Sequence, residues 1–551
     1  MKKFLFLIVL FGLLFEVTSY SQSNFLSGSN ISGNFQFDGQ TYKPDSLIGA
    51  ENVPQEILTN TWFRLNYNYE GFYSVFRYEA YLDPILGYDP RLKGNGFAFR
   101  SFGYKNDFID VVAGNFYGQF GSGLIFRSYE ERLLGWDNPL DGARIKLTPT
   151  EGLDVTAMVG TMRAYWNQSK GLIRGGDINI TTNDLFENLL PQDLVLTFGG
   201  SFMSRYQADN SSFLKLPENV FAWSARTALY HSIFSLTGEF AHKYNDSNAT
   251  NKFSYNPGNA LYVNAAVYPD NLGINLSYHR LDNMDFRADR DATGQTLQMN
   301  FIPPLSKLYT YRLLNMYPYA TQFNGEVGTQ IEITTSLLKK LFGDRKNADL
   351  VINFSRIQSI DTTQIDNFTY DSRWGMGDEL FYQEFIFEFD KTWSRKFETK
   401  MLYSNQIYNK DVLENEGAAK NGKIYTNIAV IEAYIKLTRK KTLRLDFQHM
   451  WATQDSNFVH SDRRDGNWFV FLAEYSIAPH WYVSFMDDYN YNNPVEDYCL
   501  HYPMVSGTYA VKSTQISFLY GKQRGGLICV GGVCRPVPAS NGFRLSVTTS
   551  F

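Results

Sequence analysis

The side chains with chemical potential in this 551-residue sequence are concentrated in two places. Gly114, Gly118 and Gly121 lead into GLIFRSYEERLLGWDNPLDGAR at 123–144. This block carries Arg127, Glu130, Glu131, Arg132, Asp137, Asp141 and Arg144. Glycines let a segment lie close against neighbouring backbone. Arg and acid residues folded into an enclosed space form a constriction that selects by charge. The plainer alternative is a charge-paired loop that fills or caps that space. Glu130 and Glu131 are adjacent, and adjacent residues of an extended chain point opposite ways, so they make no working carboxylate pair.

Cys529 and Cys534 form the second place, within ICVGGVC. A disulfide between them, favoured in an oxidising compartment, would close a small loop and stiffen a hairpin. Cys499 is the odd cysteine. The histidines at 231, 242, 279, 449, 460, 480 and 501 show no HExxH spacing, and the cysteines show no CxxC, so no zinc site is expected. With no Ser/His/acid set either, the sequence predicts no catalytic residue, metal or cofactor, and a non-enzymatic protein.

Composition narrows the elements that position these residues. Aromatics reach 16%, with 44 Phe and 37 Tyr, while charged residues are only 19%. Disorder needs the opposite balance. The 51 basic residues are outnumbered by 56 acidic ones, which argues against a nucleic-acid partner. A mean hydropathy of −0.30 is too low for a bundle of membrane helices. An apolar outside around a wet inside fits all of these values.

The N-terminus supplies an address. Lys2 and Lys3 precede the apolar run from Phe4 to Phe15, and Ser19-Tyr20-Ser21 follows with small residues where a signal peptidase reads. We expect a signal peptide at 1–21, cleaved before Gln22, with no lipid-bearing cysteine after it. Beyond residue 21 no stretch approaches the ~18 apolar residues of a spanning helix.

The rest alternates with period two. Leu443, Leu445, Phe447 and Trp451 oppose Arg444, Asp446, Gln448 and Gln454; Phe381, Phe385, Phe387 and Phe389 oppose Tyr382, Glu384, Glu388 and Asp390. Phe63, Leu65, Tyr67 and Tyr69 likewise oppose Arg64, Asn66, Asn68 and Glu70. Such alternation places the two sets on opposite faces of a sheet. The runs last ~10–14 residues, close to the length a tilted membrane strand needs. Trp62, Trp451, Trp468, Trp481 and Tyr69 mark run ends, as a headgroup-level girdle would.

The fold class expected is therefore all-β: a single transmembrane antiparallel β-barrel over 22–551, of about 26 strands (range 22–26), with no separate plug domain. Two of those strands are placed at 294–303 and 308–317, joined by a short turn from Pro303 to Ser306. Short connections alternate with long ones, among them 119–141, 360–377, 455–466 and 524–541. An even strand count puts both termini on the periplasmic side of a bacterial outer membrane.

The last strand carries a specific signal. Phe543, Leu545, Val547 and the terminal Phe551 alternate with Arg544, Ser546, Thr548 and Ser550, which resembles the terminal assembly signal of bacterial outer-membrane proteins. Together with GSGLIFRSYEERLLGWDNPLDGAR, YPYATQFNGEVG at 317–328 and GKQRGGLICVGGVCRPVPASNGFRLSVTTSF, it makes the chain resemble a family of Bacteroidota outer-membrane barrels of unsettled function. The resemblance implies outer-membrane lipid around the barrel and the barrel-assembly machinery during biogenesis. It also implies other outer-membrane proteins as partners in one reading, an accessory or scaffold subunit of a protein-assembly or secretion machine. The leading expectation is a pore or solute-uptake channel, porin-like, narrowed by an inward loop around 119–141.

Overall fold

The computed structural model describes residues 29–551, apart from 187–189, 192, 213, 293–296, 337–347, 415–416, 418–419, 459 and 532. The segment 1–21 expected as a signal peptide lies outside the described residues. Among the described residues, one 24-stranded sheet runs antiparallel between every pair of sequence neighbours. It closes on itself where the first strand, Asn30–Gln40, pairs with the last, Ser540–Ser550, from Asn34↔Ser550 to Gln40↔Arg544. Closure leaves no edge whose backbone groups would face lipid unpaired.

Period-two alternation produces the two faces. On the strand Lys441–Gln454, Phe447 and Trp451 are exposed on the outer wall, while Asp446 and Gln448 are buried inside. Closure itself uses an outer-face fit. The Phe551 ring lies where a side chain on Gly33 would be, since a Cβ there would meet its Cζ at 2.3 Å. Backbone bonds of 2.9 and 3.0 Å between Gly33 and Phe551 hold this joint.

The connections divide between the two ends. The start of the first strand and the end of the last share one end with turns such as 70–71, 151–152, 232–233, 395–396 and 512–513. The other end carries 41–57, 117–139, 244–257, 283–324, 455–466 and 524–539.

Four expectations are corrected here. Among the described residues the count is 24, inside the expected range of 22–26, but 308–317 and the described part of 294–303 are not strands. The strand Leu272–Asp282 pairs directly with Gly325–Thr335, so no sheet edge remains to receive them, and the turn Pro303–Ser306 lies inside the loop 283–324. The expected long loop 360–377 shrinks to 365–369, because Ala348–Gln364 and Tyr370–Ser394 continue their ladder through several bulges. Trp62 and Trp468 are 2% and 0% exposed and point into the lumen, whereas Trp451 and Trp481 are 49% and 48% exposed outside. Trp62 shares a face with Arg64, one residue out of phase with the outward Phe63.

The loop 283–324 folds down into the barrel and forms its core. Leu305, Leu313, Met316 and Tyr317 pack against Ile386, Ile428, Met450 and Trp468 on one side of the lumen. On the other side Met284, Phe286 and Met299 pack with Leu124, Ile125 and Phe126 of a second inward loop, 117–139. The wall there presents Ala222, Ala241 and Ala260, whose small side chains leave the width these loops occupy.

Candidate functional site

The loop 117–139 is built from two small hairpins, Gly118–Gln119 with Arg127–Ser128 and Glu130–Glu131 with Trp136–Asp137. Between the latter lies the turn Arg132–Leu134, ended by Gly135 at φ +65, a left-handed conformation that glycine adopts without strain. Gly121 brings the loop against the wall strand Phe234–Lys243. There Glu239 Oε2 accepts from Ser122 N and Ser122 Oγ, both at 2.7 Å, where a Cβ on Gly121 would clash at 2.4 Å.

Six charges fix the second hairpin: Arg77, Glu79 and Arg163 are buried, and Glu130, Arg132 and Asp137 are half-buried. Arg77 Nε contacts Glu79 Oε1 at 2.7 Å and Arg77 Nη1 contacts Glu130 Oε2 at 2.9 Å. Arg163 Nη2 meets Glu79 Oε2 at 2.8 Å, and both Arg77 and Arg163 contact Asp137. Arg132 Nε lies 2.7 Å from Glu130 Oε1, and Tyr117 Oη donates to Asp137 Oδ1 at 2.6 Å. Three arginines and three carboxylates make the cluster neutral, so each charge taken out of water has an opposite charge beside it.

Of the sequence-selected residues, Glu130, Arg132 and Asp137 thus meet in one network. Arg127 instead lies 4.5 Å over the Tyr129 ring and 3.9 Å from Phe301, joining the two inward loops, as do Arg127 N→Met299 O at 2.7 Å and Phe301 N→Gly123 O at 3.0 Å. The Glu131 carboxylate accepts from Leu133 N at 3.1 Å and holds the turn. Arg144 faces inward lower on the wall, 3.2 Å from Asp110. Asp141 faces the other way, 3.9 Å from the exposed Arg100. Arg77, Glu79, Arg163 and Tyr117 escaped sequence reasoning. Arg77 and Glu79 share one face of the strand Phe72–Asp83, and two charges at i and i+2 in an aromatic strand were the available signal.

The loop 283–324 is held by its own polar contacts. Arg312 grips Asp488 with Nε at 2.9 and 2.8 Å and Nη2 at 2.5 Å. Tyr311 Oη donates to Glu432 at 2.7 Å, and burial, followed by the Glu432 carboxylate, pushes the Tyr311 hydroxyl far above its ordinary value.

Above these loops lies a chamber of about 1300 Å³, roofed in part by the hairpin Gly526–Val530 and Val533–Val537. Cys529 and Cys534 sit directly opposite in it and form a disulfide, while Cys499 is free. The hairpin ties both inward loops. Arg535 Nε donates to Leu133 O at 2.7 Å, Arg524 Nη2 donates to Arg312 O at 3.1 Å, and a Cβ on Gly531 would touch the Phe301 ring at 3.4 Å.

A family profile described as "Family of unknown function (DUF6029)" matches residues 1–551. The chain belongs to this family. No curated protein matches this member of the family. Among solved structures it is similar to the siderophore receptor PirA from Pseudomonas aeruginosa, at 8% identity, covering 95% of this chain and 80% of that one, with a TM-score of 0.40. The P pilus usher (PapC) translocation pore is 8% identical over 94% of this chain and 99% of its own, with a TM-score of 0.43. For OpdL from Pseudomonas aeruginosa the identity is 11%, the coverage 78% and 99%, and the TM-score 0.35.

Proposed function

We propose that this DUF6029 chain is an integral barrel of a Gram-negative outer membrane, of the Bacteroidota type, acting as a solute-uptake channel closed at rest by its own loops. The observation that carries the reading is the layering of the lumen: a chamber at the long-loop end, then the seated loops 117–139 and 283–324. Barrel width grows with strand number, so an unfilled barrel of this size would leave a wide aqueous hole. In this reading the termini and short turns face the periplasm, and Arg127, Glu130, Glu131, Arg132, Asp137 and Arg144 line or support the solute's path, whereas the outward Asp141 takes no part in it. Lipid and the assembly machinery are its partners, and no chemical step, metal or cofactor is involved.

The test is conductance in planar bilayers. Asn283 and Met284 pair with Asn324 and Phe323, so the ends of the long loop meet and a short Gly-Ser linker can replace 286–321. The intact protein should be silent and the shortened one should conduct steadily. Silence of a shortened barrel that still shows heat-dependent gel mobility would sink the channel.

One observation favours an accessory or scaffold subunit instead. Clearing the long loop re-exposes Met284, Phe286, Met299, Leu305, Leu313, Met316 and Tyr317, all 1% exposed or less. At ~1.5–3 kcal/mol per side chain, that costs roughly 10–20 kcal/mol. Thermal motion does not supply this, so a channel must open by a smaller shift or be driven, whereas a scaffold gains from the rigidity. Pull-down of native-level protein in mild detergent separates the two: stoichiometric partners through gel filtration support the scaffold, and elution alone supports the channel.

A further inference from the structure

We infer that the chamber binds an organic anion, a carboxylate or phosphate carried on a flat or apolar body, with Arg524 and Arg535 as its recognition groups. This deepens the channel reading by naming the solute class. It rests on charge balance within the chamber wall.

Every carboxylate in that wall already has a cation of its own. Glu79, Glu130 and Asp137 are neutralised by Arg77, Arg132 and Arg163. Glu414 and Asp462 are held by Arg464 at 2.6 and 2.7 Å, and Asp462 also by Lys410 at 2.7 Å. Asp488 beside the chamber is gripped by Arg312. Asp89 faces Arg91 at 2.7 Å.

Three arginines of the wall have no carboxylate to themselves, and one of them, Arg463, spends its guanidinium on Leu47 O, Ser46 O and the Tyr498 ring. Arg524 is nearly buried; its Nε makes no hydrogen bond and lies 3.5 Å from an Asp488 oxygen that Arg312 already holds. Arg535 lies with its guanidinium 4.1 Å from the Tyr88 ring, and its buried Nη1 makes no hydrogen bond. Both guanidinium groups line the one chamber, each with a single backbone carbonyl as hydrogen-bond partner and no carboxylate of its own; an incoming anion completes them, since a guanidinium fork matches carboxylate and phosphate oxygens. Tyr88, half-buried beneath Arg535, supplies flat apolar surface for the body of the ligand, while the fully buried Trp468 backs Arg524 from below. A volume of about 1300 Å³ exceeds the usual range for small-molecule sites and leaves room for water around such a ligand.

The experiment is calorimetric titration of the full-length protein in non-ionic detergent with phenyl phosphate, phenylacetate and neutral 2-phenylethanol, each against protein-free micelles. Both anions should bind at least about tenfold more tightly than the alcohol, because a charge-assisted hydrogen bond is what separates them. Arg524→Met and Arg535→Met should each weaken the anions by about tenfold or more, and Arg535→Lys should keep part of the affinity. Heat-dependent gel mobility identifies variants that fold. Equal binding of alcohol and anions, no anion binding at millimolar concentration, or unchanged binding by both folded methionine variants would overturn the inference. The conductance test is separate: anion binding by a barrel whose shortened form stays silent removes the channel alone, and a conducting form that binds no anion removes this inference alone.

Discussion

Arg77→Met is the most informative single perturbation, because it unbalances a neutral cluster by one charge. Arg77 reaches Glu79, Glu130 and Asp137, and its side chain is 2% exposed. Without it, three carboxylates face only Arg132 and Arg163. Removing one partner of a buried ion pair costs about 3–5 kcal/mol, because the leftover charge stays desolvated. Removing Glu79 as well restores two carboxylates against two arginines. Arg77→Met/Glu79→Gln should therefore cost less than the sum of the single substitutions, with a coupling of about 2 kcal/mol or more. Equilibrium urea unfolding of the protein refolded in lipid vesicles, followed by tryptophan fluorescence and gel mobility, measures each corner of the cycle. The same magnitudes settle what happens to the loop. Phe120, Leu124, Ile125 and Phe126 are buried to 3% or less, and at ~1.5–3 kcal/mol each they hold the loop with roughly 6–12 kcal/mol. That exceeds the cost of the substitution, so the loop stays seated and trypsin does not cut at Arg127 or Arg132 in the folded variant. Additive single costs, or a change below about 1 kcal/mol for Arg77→Met, would refute the reasoning.

Alkylation and mass spectrometry of the denatured but unreduced protein should label Cys499 alone, with all three cysteines labelled after reduction. Cys529→Ser/Cys534→Ser should lower stability by about 2 kcal/mol or less, the chain-entropy value for so short a loop. Phe551→Ala should reduce the heat-modifiable, membrane-inserted fraction, and Gly33→Leu should act the same way because its side chain takes the space of the Phe551 ring. Loop 455–466 should gain protease sensitivity in acid. Burial alone would raise the Asp462 carboxyl, but Arg464 and Lys410 outweigh burial and hold it below the usual carboxylate range. A carboxyl depressed on folding contributes fully above its unfolded value of about 4 and loses that contribution as pH falls through its folded value. Asp462→Asn should therefore weaken the loop at neutral pH and flatten its response below about pH 4; an unchanged acid response would count against the Arg464 and Lys410 contacts.

The barrel was legible because a strand between lipid and lumen records its two environments residue by residue. Phe447 and Trp451 against Asp446 and Gln448 needed no tertiary information, and neither did the pairing of a final aromatic strand with the first. The filling of the lumen was not legible for the same reason. Segments 294–303 and 308–317 read like strands because a loop packed inside a barrel also has one apolar side. In this fold Leu313 and Met316 bury theirs against Met450 and Trp468 rather than against lipid. Periodicity reports that a face is buried and not what buries it. The two lost strands leave the count even, so the start of the first strand and the end of the last share an end under either reading.

The charged site divided along the same line. The sequence by itself determined that 119–141 is a glycine-led, mixed-charge connection between strands and that the cysteines at 529 and 534 can close a tight hairpin. Only the tertiary structure decided which charges meet. Glu130, Arg132 and Asp137 find Arg77, Glu79 and Arg163 because the loop turns inward across two wall strands, while Asp141, the second residue of the strand Leu140–Thr150, faces out. Ion pairs depend on distances through space that residue spacing does not encode. The inward turn of the loop brings Asp137 within reach of Arg77, 60 residues earlier in the chain.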